Sequence, residues 1–211
     1  WGIKGILWYQ GESNAHNMET HADFFRLMVK GFRRYFGEGT AMQIVQLSGI
    51  GTRPSWPWFR DSQRRLASET ANAALTVCSD LGHPTDVHPK NKKPVGERSA
   101  ASALYNFYGR TDIVPAGPEY KGFTVEGSRL RLSFGNAAGL SVSKGFEVAG
   151  ADGLYYPASV AVEDGTVVVW SDAVGEPCAV RYAWQPNPVD ADLVNAAGYP
   201  ASTFKDERFD F

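Results

Sequence analysis

Two histidines and two carboxylates crowd one short stretch of this chain, Asp80-Leu81-Gly82-His83-Pro84-Thr85-Asp86-Val87-His88-Pro89. An imidazole takes and returns protons near neutral pH, and a neighbouring carboxylate fixes its tautomer and orientation. His88 is therefore the first candidate for a general base. Asp86, two residues before it, and Asp80, at the head of the stretch, are the candidate orienting acids. His83 has a similar setting and completes an Asp-x-x-His pattern with Asp80. Each also has a structural reading: a histidine can hold a loop together, and an aspartate can form a turn.

A second polar constellation is Trp8-Tyr9-Gln10-Gly11-Glu12-Ser13-Asn14. Gln10 or Asn14 can donate a hydrogen bond to a developing oxyanion, Gly11 permits close backbone approach, and Glu12 lies beside them. Gly11-Glu12-Ser13-Asn14-Ala15 nearly matches the G-x-S-x-G nucleophile elbow, with Ala15 replacing the last glycine. The order Ser13, Asp80, His88 also fits that of α/β-hydrolases. However, acid and histidine share one loop here, which weighs against Ser13. Arg60 and Gln63, one helical turn apart, can bind a polar substrate or serve structural pairing. His16 and His21 are expected at the surface or at a helix start.

These groups need a scaffold that brings strand ends together. Gly5 to Gln10, Met42 to Leu47 and Ala73 to Cys78 read as strands. Helical patterns separate them. One is capped by Thr20, with Asp23 in capping-box position, and runs to Phe36 with Phe24, Leu27, Met28, Phe32 and Tyr35 at helical spacing. Pro57 opens another, and a third runs from about Pro94 to Tyr108. Strand–helix–strand order predicts right-handed crossovers and a parallel sheet. In such sheets the chemistry sits beyond the carboxyl ends of the strands, where both constellations fall.

After Pro115 the pattern becomes short strands separated by turn signals such as Glu126-Gly127-Ser128 and Glu163-Asp164-Gly165. That spacing predicts a β-sandwich-like region. The expected division is a partial three-layer α/β domain over residues 1–112 and an all-β region over 113–211. Three parallel strands make roughly half of a doubly wound sheet and leave a buried-type edge open. A segment N-terminal to Trp1 is therefore an expected partner of this chain.

Composition narrows the function classes. The 211 residues are 43% hydrophobic and carry 21 Lys and Arg against 23 Asp and Glu, a net charge of −2. That balance argues against a nucleic-acid partner, and no apolar run reaches the length of a membrane span. Cys78 and Cys178 have no metal-ligand spacing and are expected as separate thiols. Exposed aromatics among Trp56, Trp58, Tyr155, Tyr156 and Trp184 would suit a non-catalytic carbohydrate-binding protein, the alternative to an enzyme.

The stretches LWYQGESNA, Trp58-Phe59-Arg60-Asp61-Ser62-Gln63 and DLGHPTDVHPKNKKPVGER resemble the sialate O-acetylesterases, a branch of the SGNH (GDSL-like) hydrolases. In the second half FEVAGADGLYYPASVAVEDGTVVVWS, PCAVRYAW and LVNAAGYPASTF resemble the same family. The resemblance implies a three-layer α/β esterase with a serine nucleophile and a histidine base, acting on O-acetylated sialic acid or a related acetylated glycan without metal or cofactor. It implies His88 as the base and Gln10 and Gly11 on the oxyanion side, and it suggests a periplasmic, secreted or lysosomal location. Many SGNH hydrolases place the acid three residues before the histidine, where this chain has Thr85, so Asp86, Asp80 or a plain Ser–His pair stay open. The family's early serine motif has no counterpart here. The expectation is the downstream part of an esterase, nearly inactive by itself.

Overall fold

A computed structural model describes residues 2–209. The first half is a three-stranded parallel sheet in the order β1 (Gly5–Trp8), β2 (Ala41–Val45), β3 (Ala73–Thr76). β2 is buried on both sides along its whole length, as a central parallel strand must be. Its residues Met42 and Ile44 pack against Phe25 and Val29 of helix α1 (Met18–Phe36) and Leu66 and Ala67 of α2 (Trp56–Glu69). Val45, on the opposite face, packs with Cys78 and with Val95 of α3 (Lys93–Tyr108). Helices on both faces complete the three layers.

The start of α1 departs from expectation. Asn17, not Thr20, is the N-cap, and the Thr20 hydroxyl instead donates back to the Asn17 carbonyl. The helix also buries a different stripe. His21, Phe25 and Val29 face the core, with Met28 and Phe32 half-buried, whereas Phe24, Leu27 and Tyr35 are exposed. Aromatic residues on both sides of this helix made the wrong face look apolar.

β1 lies at one end of the sheet, with no strand on its outer side among the described residues. Leu7 on β1 is exposed, and a groove of about 350 Å³ runs between β1 and α3, lined by Ile6, Leu7, Ala100, Ala103, Phe107 and Tyr108 among others.

The second half forms two four-stranded antiparallel sheets. One has the order β4 (Glu119–Glu126), β5 (Arg129–Gly135), β9 (Thr166–Trp170), β8 (Ser159–Glu163). The other runs β11 (Phe204–Glu207), β10 (Ala179–Tyr182), β6 (Phe146–Ala149), β7 (Tyr155–Pro157). Their inner faces share one core, including Leu130, Leu132, Val148, Val167, Val169, Val180, Tyr182 and Phe204. The α/β domain is thus followed by a sandwich-like region. Cys78 and Cys178 form no disulfide. Among the described residues no helix is long and apolar enough to cross a membrane.

Arg60 joins the two halves. Its side chain is wholly buried, and its guanidinium donates to Thr203 Oγ1 at 2.9 Å and to the carbonyls of Pro186 at 2.9 Å, Ala183 at 3.1 Å and Gln185. Gln46 adds a second tie, donating to Ser202 Oγ at 2.7 Å. Arg60 is therefore a staple between α2 and the β region. It does not face solvent as a substrate-binding residue would.

Candidate active site

Three loops leave the carboxyl ends of β1, β2 and β3 and meet at one edge of the sheet. The loop after β2 is stitched to the loop after β3: Gly49 N–H donates to Ser79 O at 3.2 Å, His83 N–H to Gly49 O at 3.1 Å, and Gly51 N–H to Pro84 O at 2.9 Å. The approach requires glycine, because a Cβ on Gly82 would lie 2.2 Å from the Gly49 oxygen. The β region supports the same edge, since Ile50 N–H donates to Pro186 O at 3.0 Å.

His88 stands at this edge with its side chain 85% exposed. Asp86 is the carboxylate beside it. Asp86 Oδ1 accepts the His88 backbone N–H at 2.9 Å and lies 3.4 Å from His88 Nδ1. That backbone donor is the largest influence holding the Asp86 carboxyl below the usual carboxylate range, with the two neighbouring imidazoles adding to it. Asp86 is thus charged at neutral pH and places a negative charge beside the His88 ring.

The other two candidates in this stretch are engaged elsewhere. Asp80 makes a two-pronged pair with Arg98, both contacts at 2.7 Å, and Arg98 also donates to Val77 O at 3.0 Å. Asp80 therefore fixes α3 to the end of β3, and among the described residues it has no hydrogen bond or ion pair with His88. His83 Nδ1 accepts the backbone N–H groups of Thr85 at 3.2 Å and Asp86 at 3.1 Å. Accepting both, the His83 ring shapes the turn that presents Asp86. The Asp80–His83 pattern does not form a pair.

The turn after β1 lies at the same edge. Gln10 donates to Asn14 Oδ1 at 2.8 Å, which occupies one of its two N–H bonds and leaves one for a ligand. Gly11 is buried at φ +145°, and a Cβ there would come within 2.3 Å of the Phe59 ring. Gly11→Ala is expected to lower stability by about 1–3 kcal/mol through ring clash and backbone strain. Urea unfolding checks this, and a shallow loss within about 0.5 kcal/mol would show that the turn tolerates a side chain.

Gln63, expected to touch substrate, is instead buried beneath this turn. Its Oε1 accepts the Leu47 N–H at 3.0 Å, and its Nε2 donates at 3.4 Å each to Gln10 O and Val45 O. It holds the first two site loops in register. Glu12 and Asn14 are half-buried at the rim. Ser13 is exposed in ordinary right-handed helical geometry at φ −78°, ψ −31°, not the strained conformation of a nucleophile elbow.

His21, expected at the surface or at a helix start, lies in the first turn of α1 and is buried behind the Gly11 turn. Its ring centroid lies 4.1 Å from that of Phe59, and its Nε2 has no hydrogen-bond partner among the described residues. Burial pushes this imidazole below its ordinary value of 6.5. The unfolded chain therefore binds the proton first, so stability is intact above that pH and declines as pH falls below it. Thermal unfolding between pH 7 and 5 is expected to show this decline, and His21→Leu to flatten it. Parallel curves for the two proteins would contradict it.

Sequence reasoning passed over Tyr9 and Lys92, because Tyr9 looked like the end of an apolar strand. Lys92 Nζ sits 4.8 Å from the centroid of the Tyr9 ring and donates to its hydroxyl at 3.4 Å. Of the five aromatics proposed to stack on sugar, only Trp58 is exposed. Trp56 donates to Ser48 O at 2.7 Å from the core, Trp184 is buried against Trp58, and Tyr155 and Tyr156 are half-buried. Among the described residues no cluster of three or more His, Cys, Asp or Glu could hold a metal ion.

The arrangement has relatives among known proteins. No family model matches the chain. Sialate O-acetylesterase of Mus musculus is 25% identical over 219 residues, covering 89% of this chain and 40% of the relative. The Homo sapiens protein of that name is 25% identical over 138 residues, 55% of this chain and 26% of the relative. The crystal structure of a carbohydrate acetylesterase from Xanthomonas citri superposes with a TM-score of 0.90 at 34% identity, covering 98% of this chain and 51% of that one. The chain thus spans about half the length, or less, of the proteins it matches. It is related to the carbohydrate acetylesterases and carries an SGNH-like α/β domain followed by a sandwich-like β region.

Proposed function

We propose that this chain supplies the general base and part of the oxyanion site of a glycan O-acetylesterase, with the attacking serine delivered by a strand that adds to the open edge of β1. The observation that carries the reading is the exposed His88–Asp86 pair at the sheet edge that also holds the Gln10–Gly11 turn. An upstream segment of the same polypeptide fits the edge, because a parallel strand added at β1 would end beside both loops.

In this mechanism the serine hydroxyl attacks the acetyl carbonyl while His88 Nε2 takes its proton and Asp86 steadies the resulting imidazolium. Gln10 and backbone N–H groups hold the tetrahedral oxyanion. Collapse breaks the ester bond, and the sugar oxygen leaves with the proton from His88. Water then attacks the acetyl-enzyme as His88 accepts a proton again, releasing acetate and restoring the serine.

Similarity to the sialate O-acetylesterases favours O-acetylated sialic acid as the substrate, and similarity to the Xanthomonas citri carbohydrate acetylesterase leaves acetylated carbohydrate more broadly. Acetate release is the test, measured on O-acetylated sialic acid and on acetylated neutral oligosaccharide, for the 211-residue chain and for a chain extended at its amino end. Turnover by the extended chain and background by the short one support the reading. Equal turnover by both would overturn it.

A further inference from the structure

His88 lies on a loop with no helix or strand at its position, and a base must be held within reach of the proton it takes. The loop is fixed on both sides of His88. On one side Val87 packs against the cluster of Ala15, Leu47, Ile50, Trp56 and Phe59, which also receives the Tyr9 ring. On the other side Lys92 caps that ring and its hydroxyl, at 4.8 and 3.4 Å. Tyr9 also packs against Val45, Cys78 and Val95, so it touches the core beneath the start of α3.

We infer that Tyr9 is the positioning residue for His88: its ring and hydroxyl fix the segment from Val87 to Lys92 against the end of β1, so that the base and the Gln10–Gly11 turn keep one geometry. The inference rests on the reading of His88 as the base. Tyr9 does not itself move protons. Burial first, then Cys78 and Glu12, push its phenol up to about 12, so it stays protonated at neutral pH. A cation over an aromatic face and a hydrogen bond to the same ring give Lys92 two reasons to stay in place.

Amide hydrogen exchange at His88 and Lys92, measured on the 211-residue chain, tests this together with NMR titration of the Asp86 carboxyl. Tyr9→Ala is expected to speed exchange at these two amides by about tenfold or more while β2 amides keep their rates. Asp86 should then titrate closer to the ordinary carboxylate range, because the His88 N–H no longer holds its charge. Tyr9→Phe keeps the ring and is expected to stay within about threefold of the parent. Lys92→Met, a change on the surface, should loosen the same two amides by a smaller factor. Unchanged exchange and unchanged Asp86 titration in Tyr9→Ala and Lys92→Met would overturn the inference. So would β2 amides accelerating in step with the loop, which marks a general packing role. Should Tyr9→Ala fail to fold, Lys92→Met decides alone, and parent-like exchange at His88 overturns it. These readouts do not depend on turnover, so a fully active His88→Ala enzyme would remove the base reading and leave the loop result standing.

Discussion

His88→Ala is expected to lower acetate release by the extended enzyme by about a hundredfold to ten-thousandfold, the range a positioned general base contributes. The same change should leave stability within about 0.5 kcal/mol, because a side chain 85% exposed has little packing to lose. That separation of activity from stability sets a catalytic role apart from a loop-forming one. Asp86→Asn is expected to cost less. The Asp86–His88 pair is open to water, where screening weakens charge coupling, although the amide also disturbs the bond to the His88 backbone. Asp80→Asn, by contrast, should act through Arg98 and α3. Its activity loss should follow its stability loss. Retention of full activity by His88→Ala would remove the base from this account.

The second large effect is on stability. Arg60→Ala is expected to cost about 3–5 kcal/mol, the range for breaking a buried charged network. Thr203 Oγ1 and the carbonyls of Pro186, Ala183 and Gln185 would lose the guanidinium, with Pro186 O keeping the Ile50 N–H at 3.0 Å and Ala183 O the Thr203 hydroxyl at 3.3 Å. Burial pushes the guanidinium down to about 9, so it is still charged at neutral pH, and its charge is met by these dipoles. Asp61, next in sequence, gives its carboxylate to Arg64 and Arg65. Arg60→Lys should rescue little, because one ammonium cannot reach acceptors spread around a planar fork. Chemical unfolding followed by both tryptophan fluorescence and far-UV circular dichroism checks the loss. A change under about 1 kcal/mol would show that the staple is dispensable.

The division into parallel α/β and antiparallel halves was legible because strand-length runs alternate with helical patterns in the first half, whereas the later strands are punctuated by glycine-bearing turns. The His88 loop was legible because its polar residues follow a strand directly. Other features were hidden by distance. Arg60 and Gln63 look like a substrate pair on a helix face, and nothing local shows that Arg60's acceptors lie at residues 183–203, more than 120 positions away. β7 and β11 escaped notice for a different reason. Tyr155–Pro157 is very short, and Phe204–Glu207 is mostly charged, its register set by pairing with β10. The choice between Asp80 and Asp86 needed coordinates, since Arg98 on α3 claims the first and the turn around His83 presents the second.

The central claim is that this chain holds the proton acceptor while the attacking hydroxyl arrives on an added strand at β1. Labelling the active extended enzyme with an organophosphorus fluoridate, then mapping the modified residue by mass spectrometry, tests it most directly. The account predicts one labelled serine, outside residues 1–211, with labelling greatly slowed by His88→Ala. A label on Ser13, Ser48 or any other serine within this chain would contradict it.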